Sequence, residues 1–115
     1  MTNPAFWQVL DELIAKSEIA IDRPKGTPHP RYPDLIYGVD YGYLEGTRSM
    51  DGGGIDVWRG TSADAELTAI MVTVDLVKRD SEIKLLIGMT EDEISYVVHF
   101  HNDSDQMKGL LIRRE

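Results

Sequence analysis

The chain has 115 residues, with 20 Asp plus Glu against 12 Lys plus Arg and no cysteine. That length suits one ordinary domain with its own core, so residues 1–115 are read as a single domain. The missing cysteines exclude disulfide scaffolds, thiolate zinc sites and thiol nucleophiles. A net charge of −8 speaks against nucleic-acid binding and against anionic membranes, and suits a site for divalent cations.

No stretch reaches the ~18 apolar residues of a membrane span, and no basic-then-apolar leader opens the sequence. A cytoplasmic, soluble chain is therefore expected. The charge is uneven: −3 over residues 1–60, −7 over 61–107 and +2 over 108–115.

The first predicted element is a helix ending near Ser17. Asn3 or Thr2 caps it, Pro4 sits in its first turn, and Phe6, Val9, Leu10, Leu13 and Ile14 form its apolar stripe. Residues 18–22, EIAID, alternate as a half-buried strand. Four prolines between Pro24 and Pro33 then forbid helix and central strand, leaving a stiff loop that carries Arg23, Lys25, His29 and Arg31. Residues 35–45 read as strand and tight turn, and 50–54 as a glycine-rich loop before a strand from Ile55. In the β-branched run 67–77, Ile70, Val72, Val74 and Leu76 share one face, and Met71, Thr73, Asp75 and Val77 the other. A polar turn leads to a strand at 83–87. Thr90 and Glu93 form a capping box for a helix with Ile94, Val97, Val98 and His101 on its stripe, and residues 109–114 are the last strand. Two helices and five to seven strands, without a regular β-α-β alternation, predict an α+β fold with a mixed or barrel-like sheet.

Four constellations carry chemical potential. In Asp51-Gly-Gly-Gly-Ile-Asp56, glycines allow the backbone to turn both carboxylates toward one point, as a hard cation requires, although the same residues also make an ordinary turn. Asp80, Glu82 and Lys84 share a strand face, as a metal–phosphate pair or as a surface salt bridge. Tyr37 and Tyr41, with Tyr43, share parity if their strand is continuous, and serve either phosphate oxygens or the core. Arg31, with Lys25 and Arg23 near it, offers a guanidinium to phosphate or to solvent. His29, His99 and His101 show no zinc spacing and read as structural. No GxxxxGK[ST], GxGxxG or GxSxG motif is present.

The order of these pieces resembles the core of the family I soluble inorganic pyrophosphatases. The resemblance runs through IAIDRPKGTPHPRYPDLIYGVDYGYLEGTRSMDGGGIDVW at residues 19–58 and more weakly to Glu82-Ile83-Lys84. An acid-ending strand before proline, a basic-Tyr pair at Arg31-Tyr32, a YGY stretch at Tyr41 to Tyr43 and a "DGDPLDVLV"-like signature at Asp51 to Val57 follow in the family's order. The resemblance implies a five-stranded OB-like barrel with an N-terminal and a C-terminal helix packed outside. It also implies a cytoplasmic, Mg²⁺-dependent hydrolysis of pyrophosphate to phosphate. By position, Asp51, Asp56 and Glu82 become metal ligands, with Asp75 or Asp80 as supplementary carboxylates and Asp22 in place of an active-site Glu. Arg31 and Lys84 become phosphate ligands assisted by Tyr37 and Tyr41. Bacterial members are commonly oligomeric, so a homo-oligomer is implied as well.

The departures are specific. The middle aspartate of the signature, a metal ligand and proposed base, is Gly53, and a second family aspartate is Val77. The family lysine is Arg31, a following Glu is Pro33, and an arginine of a missing hairpin has no counterpart. Loss of a positioned base costs roughly 10²–10⁴ in rate. Three outcomes follow: a slow or retuned phosphoanhydride hydrolase, a degenerate module that binds phosphate or metal without turnover, or a partner-binding protein using Phe6, Trp7 and the first helix.

Overall fold

The computed structural model describes residues 3–114. Helix α1 (Pro4–Ala15) opens it, followed by strands β1 (Ile19–Arg23), β2 (Asp40–Leu44), β3 (Ile55–Arg59), β4 (Leu67–Asp75) and β5 (Asp80–Ile87), helix α2 (Glu91–Phe100) and strand β6 (Met107–Arg113). Asn3 caps α1, its side chain accepting from the Phe6 N–H at 3.2 Å; Thr2, the alternative cap, lies outside the described residues. None of the described helices is long and apolar enough to cross a membrane.

The strands form one sheet in the order β1-β2-β3-β5-β4-β6. Neighbours are antiparallel except β3 and β5, which run parallel. This is an α+β, OB-like arrangement with a strand more than the five expected. Among the described residues, β1 and β6 are not paired with one another, so the sheet stays open. The free edge of β4 is occupied by β6, which pairs Ala69 to Asp75 with Arg113 to Met107.

Both faces of the sheet are covered at its centre. On one, Trp7, Leu10, Leu13 and Ile14 of α1 pack on Leu44, Val57, Ile70, Leu85 and Ile87. On the other, Ile94 and Val97 of α2 pack on Tyr37, Val39, Trp58, Met71 and Leu86. Strand alternation explains the division: Leu85 and Ile87 face α1 while Leu86 faces α2. A register shift between Leu67 and Ala69 places these two residues in opposite cores, although strict alternation would put them together. The stripe of α1 is rotated from the expected one. Trp7 is buried, whereas Phe6 and Val9 are exposed, because the large indole commands the face nearest the sheet. The core role of Trp7 removes it as an exposed partner-binding residue. Residues 35–39 form no strand; β2 starts at Asp40, and a bridge from Pro28 to Ile36 ties the proline loop instead.

Candidate functional site

Strands β2, β3 and β5 bring the polar side chains together. Tyr43 stands opposite Asp56, and Asp56 opposite Lys84, so one row of the α2-facing side runs across three strands. Lys84 is 7% exposed. Its Nζ donates to Asp56 Oδ2 at 2.6 Å, to Tyr41 OH at 3.0 Å and to Glu82 Oε1 at 3.3 Å. A buried ammonium satisfied in all three donor directions remains charged. Burial alone would lower the Lys84 pKa, but Tyr41 and Asp56 more than reverse this and hold it above the usual lysine range. Burial pushes the Tyr41 phenol well above its ordinary value, so it is protonated at neutral pH.

Tyr37 adjoins this group. Its ring stacks on Tyr41 with centroids 5.7 Å apart and on His29 at 5.9 Å, and its hydroxyl accepts from Arg23 Nη1 at 2.6 Å. Tyr37 and Tyr41 thus share a side without a continuous strand, because the loop before β2 folds under Trp58 and Phe100.

Five of the expected residues therefore meet: Asp56, Lys84, Glu82 and Tyr41 directly, and Tyr37 through the tyrosine stack. The others are engaged elsewhere. Asp51 Oδ1 accepts from the Ser49 hydroxyl at 2.5 Å and the Gly53 N–H at 3.0 Å, a self-contained turn that keeps its carboxyl below the usual range. Asp75 Oδ1 accepts from the Val77 and Lys78 amides at 2.9 and 3.1 Å, closing the β4–β5 turn, and Asp80 is its cross-strand partner. Asp22 is exposed on β1. Arg31 is exposed on the proline loop, with its guanidinium 6.0 Å from the Tyr32 ring and its N–H donated to His29 Nδ1 at 3.0 Å.

Among the described residues, no three His, Asp or Glu side chains converge as a metal cage. Two carboxylates do aim at one point, since Asp56 and Glu82 both reach Lys84 Nζ. That point is filled by the ammonium itself, so a hard cation would have to use the carboxylate oxygens that Lys84 leaves free, Asp56 Oδ1 and Glu82 Oε2, and fill the rest of its shell with water and phosphate oxygens. A cluster of several metals has too few ligands here. Cavities of about 660 Å³ beside Asp11 and Arg114, and about 480 Å³ between Leu10 and Ile83, open on the α1 side; Glu82 lines the second, so the polar group borders that cavity through this one residue.

Neither a protein-family model nor a curated protein sequence matches the chain. Solved structures do. An inorganic pyrophosphatase from Coxiella burnetii superposes with a TM-score of 0.60 at 15% identity, over 83% of this chain and 84% of that one. The fold is pyrophosphatase-like. An inorganic pyrophosphatase from Helicobacter pylori gives 0.58 at 13% identity, over 84% of this chain and 82% of that one. An inorganic phosphatase from Anaplasma phagocytophilum gives 0.55 at 11% identity, over 83% and 81%. At these identities the likeness is one of fold.

Arg23 and His101 belong to the surroundings of this polar group without standing out in the sequence. The Arg23 position was signalled only by its nearness to Arg31. His101 lies on the α2 stripe, where its Nε2 accepts from Trp58 Nε1 at 3.0 Å, a structural role as read from its spacing.

Proposed function

We propose that this chain is a Mg²⁺-dependent hydrolase of inorganic pyrophosphate or a related phosphoanhydride. The observation that carries the reading is the hydrogen-bonded group of Asp56, Lys84, Tyr41 and Glu82 in a pyrophosphatase-like fold. Asp56 and Glu82 are the residues that would hold the cation. When bound, Mg²⁺ supplies charge neutralisation and lowers the pKa of a coordinated water. Lys84 presents a fixed positive charge to the phosphoryl oxygens. Tyr41, protonated, donates its O–H to one of them while its oxygen accepts from Lys84. The phenol of Tyr37 orients the same group, and Arg31, carried from the resemblance, lies on the loop flanking it.

Phosphate release from pyrophosphate is expected to require Mg²⁺ and to fall by at least about 10²-fold in Asp56→Asn. Absence of turnover by the wild-type chain with Mg²⁺ or Mn²⁺ would sink the hydrolase reading.

A second reading, binding without turnover, is favoured by Gly53 and by Asp51 facing its own loop. Gly53 has an ordinary φ, and a Cβ there would meet only Asp51 Oδ1, at 3.4 Å. Gly53→Asp thus restores the family's middle aspartate without backbone strain. Under the hydrolase reading it raises an existing rate; under the binding reading, calorimetry shows pyrophosphate bound by wild type with no phosphate released.

A further inference from the structure

The path of β1 changes one residue before it ends. Ile19, Ala20 and Ile21 pair in step with Leu44, Tyr43 and Gly42, but Arg23 rather than Asp22 stands opposite Tyr41. Strict alternation would send Arg23 to the side of Ile19 and Ile21, where Ile19 packs with the α1 core. The bulge at Asp22 turns it to the opposite side, onto the tyrosines. Bulges recur beside functional sites because they re-aim a side chain in this way.

The guanidinium is held there firmly. Its Nη1 donates to Tyr37 OH at 2.6 Å, and its Cζ lies 5.7 Å from the ring centroids of both Tyr37 and Tyr41. Tyr37 itself is 2% exposed, so the platform is fixed. Arg23 is half-buried, yet among the described residues it forms no ion pair with a carboxylate; Asp22, its exposed neighbour, is not in salt-bridge contact. A guanidinium has five N–H donors, and Tyr37 takes one. Lys84 Nζ is also 5.7 Å from the Tyr41 centroid, so two cations flank one ring, and only Lys84 is neutralised by the protein. The neighbourhood is positive too: Arg23, Lys78 and Arg31 all act on His29, whose pKa is lowered by burial and then by these charges. In a chain of net charge −8, this is a locally cationic corner.

We infer that Arg23, positioned by the β1 bulge and Tyr37, is the guanidinium that grips the phosphoryl oxygens of a multiply charged phosphate ligand beside Lys84. The inference rests on the hydrolase reading above and departs from it in giving Arg23, not Arg31, this role. A fork of N–H donors suits phosphate bidentately, and a half-buried position makes each bond stronger than at the exposed Arg31.

The test uses the full chain with inorganic pyrophosphate, by calorimetry in metal-free buffer and by phosphate release with Mg²⁺. Arg23→Gln is expected to raise the Kd, and the KM if turnover occurs, by about 10- to 100-fold, with Arg23→Lys intermediate. Arg31→Gln, on the exposed flanking loop, is expected to raise either by less than Arg23→Gln does. Tyr37→Phe, which keeps the ring and removes the hydroxyl, is expected to weaken binding by about threefold to tenfold and supports the positioning role even if Arg23→Gln folds poorly. Far-UV circular dichroism and the urea midpoint report that each variant is folded. Wild-type binding left unchanged in Arg23→Gln and in Tyr37→Phe overturns the inference and leaves the hydrolase reading standing. A wild-type chain that neither binds nor hydrolyses pyrophosphate overturns both.

Discussion

His101 sits under α2 with one ring nitrogen spoken for. Trp58 Nε1 donates to its Nε2, so the ring proton resides on Nδ1, which has no hydrogen-bond partner among the described residues. Protonating Nε2 would set two donors against each other, and burial, assisted by the charge of Lys84, pushes the pKa down from 6.5 to about 3. Between these values the unfolded chain binds a proton that the folded chain does not, so stability falls as pH falls. The slope from this group is about 1.4 kcal/mol per pH unit below 6.5. His29 is shifted the same way, so the variant comparison isolates His101. From pH 7.5 to pH 5, wild type is expected to lose about 2 kcal/mol more than His101→Gln in urea unfolding. Equal losses would show that His101 can take up a proton in place. Residue types and spacing made Glu82 and Lys84 legible as neighbours on one face, because strand parity determines their facing, whereas Tyr37 joins Tyr41 from a loop, by stacking that parity does not encode. The satellite acids were not legible. Whether Asp51 or Asp75 serves a cation or its own turn depends on the hydrogen bonds of one loop, which residue spacing does not encode.

At the scale of elements, local signals were followed closely. The Thr90–Glu93 capping box forms as read, with Glu93 also accepting from the Thr61 N–H at 3.2 Å, so it ties the loop after β3 to α2. What spacing could not reveal were the two register shifts, in β1 and in β4, since a bulge is imposed by the partner strand. The glycine between Tyr41 and Tyr43 records this imposition. A Cβ on Gly42 would overlap the Ala20 carbonyl oxygen and come within 2.9 Å of Ile21 Cα. These are backbone atoms, which cannot swing aside as a flexible side chain does. Gly42→Ala is therefore expected to cost about 1–3 kcal/mol or more and to loosen β1, lowering the urea midpoint. Gly53→Ala serves as the comparison at an uncrowded position, with a change expected within about 1 kcal/mol. Similar midpoints for the two variants would contradict the close approach of β1 and β2.

Across the whole molecule, acidity and apolar surface are both distributed unequally. Beyond α1, the same side of the sheet leaves Val74, Leu76, Ile83, Leu110 and Ile112 substantially exposed, because twelve residues of helix cover only part of it. The net charge of −8 opposes compaction, and among the described residues few acids form ion pairs. Raising NaCl from about 0.01 to 0.3 M is expected to raise the Tm, since screening relieves this repulsion more than it weakens the exposed pairs. A falling Tm would mean that the pairs Arg113–Glu91 and Arg114–Asp11 dominate instead.

The parallel union of β3 and β5 has a consequence in time. Asp56 and Lys84 are partners across it, yet the chain between them must first run out along β4 and return. Antiparallel β4 and β5 close through a short hairpin, whereas β3 can recruit β5 only through a long, entropically costly loop. The candidate site therefore comes into being with one of the chain's most distant pairings rather than with its hairpins. A folding chain would acquire its two flanking hairpins before it acquired any chemistry, because Asp56 and Lys84 meet only when those hairpins join.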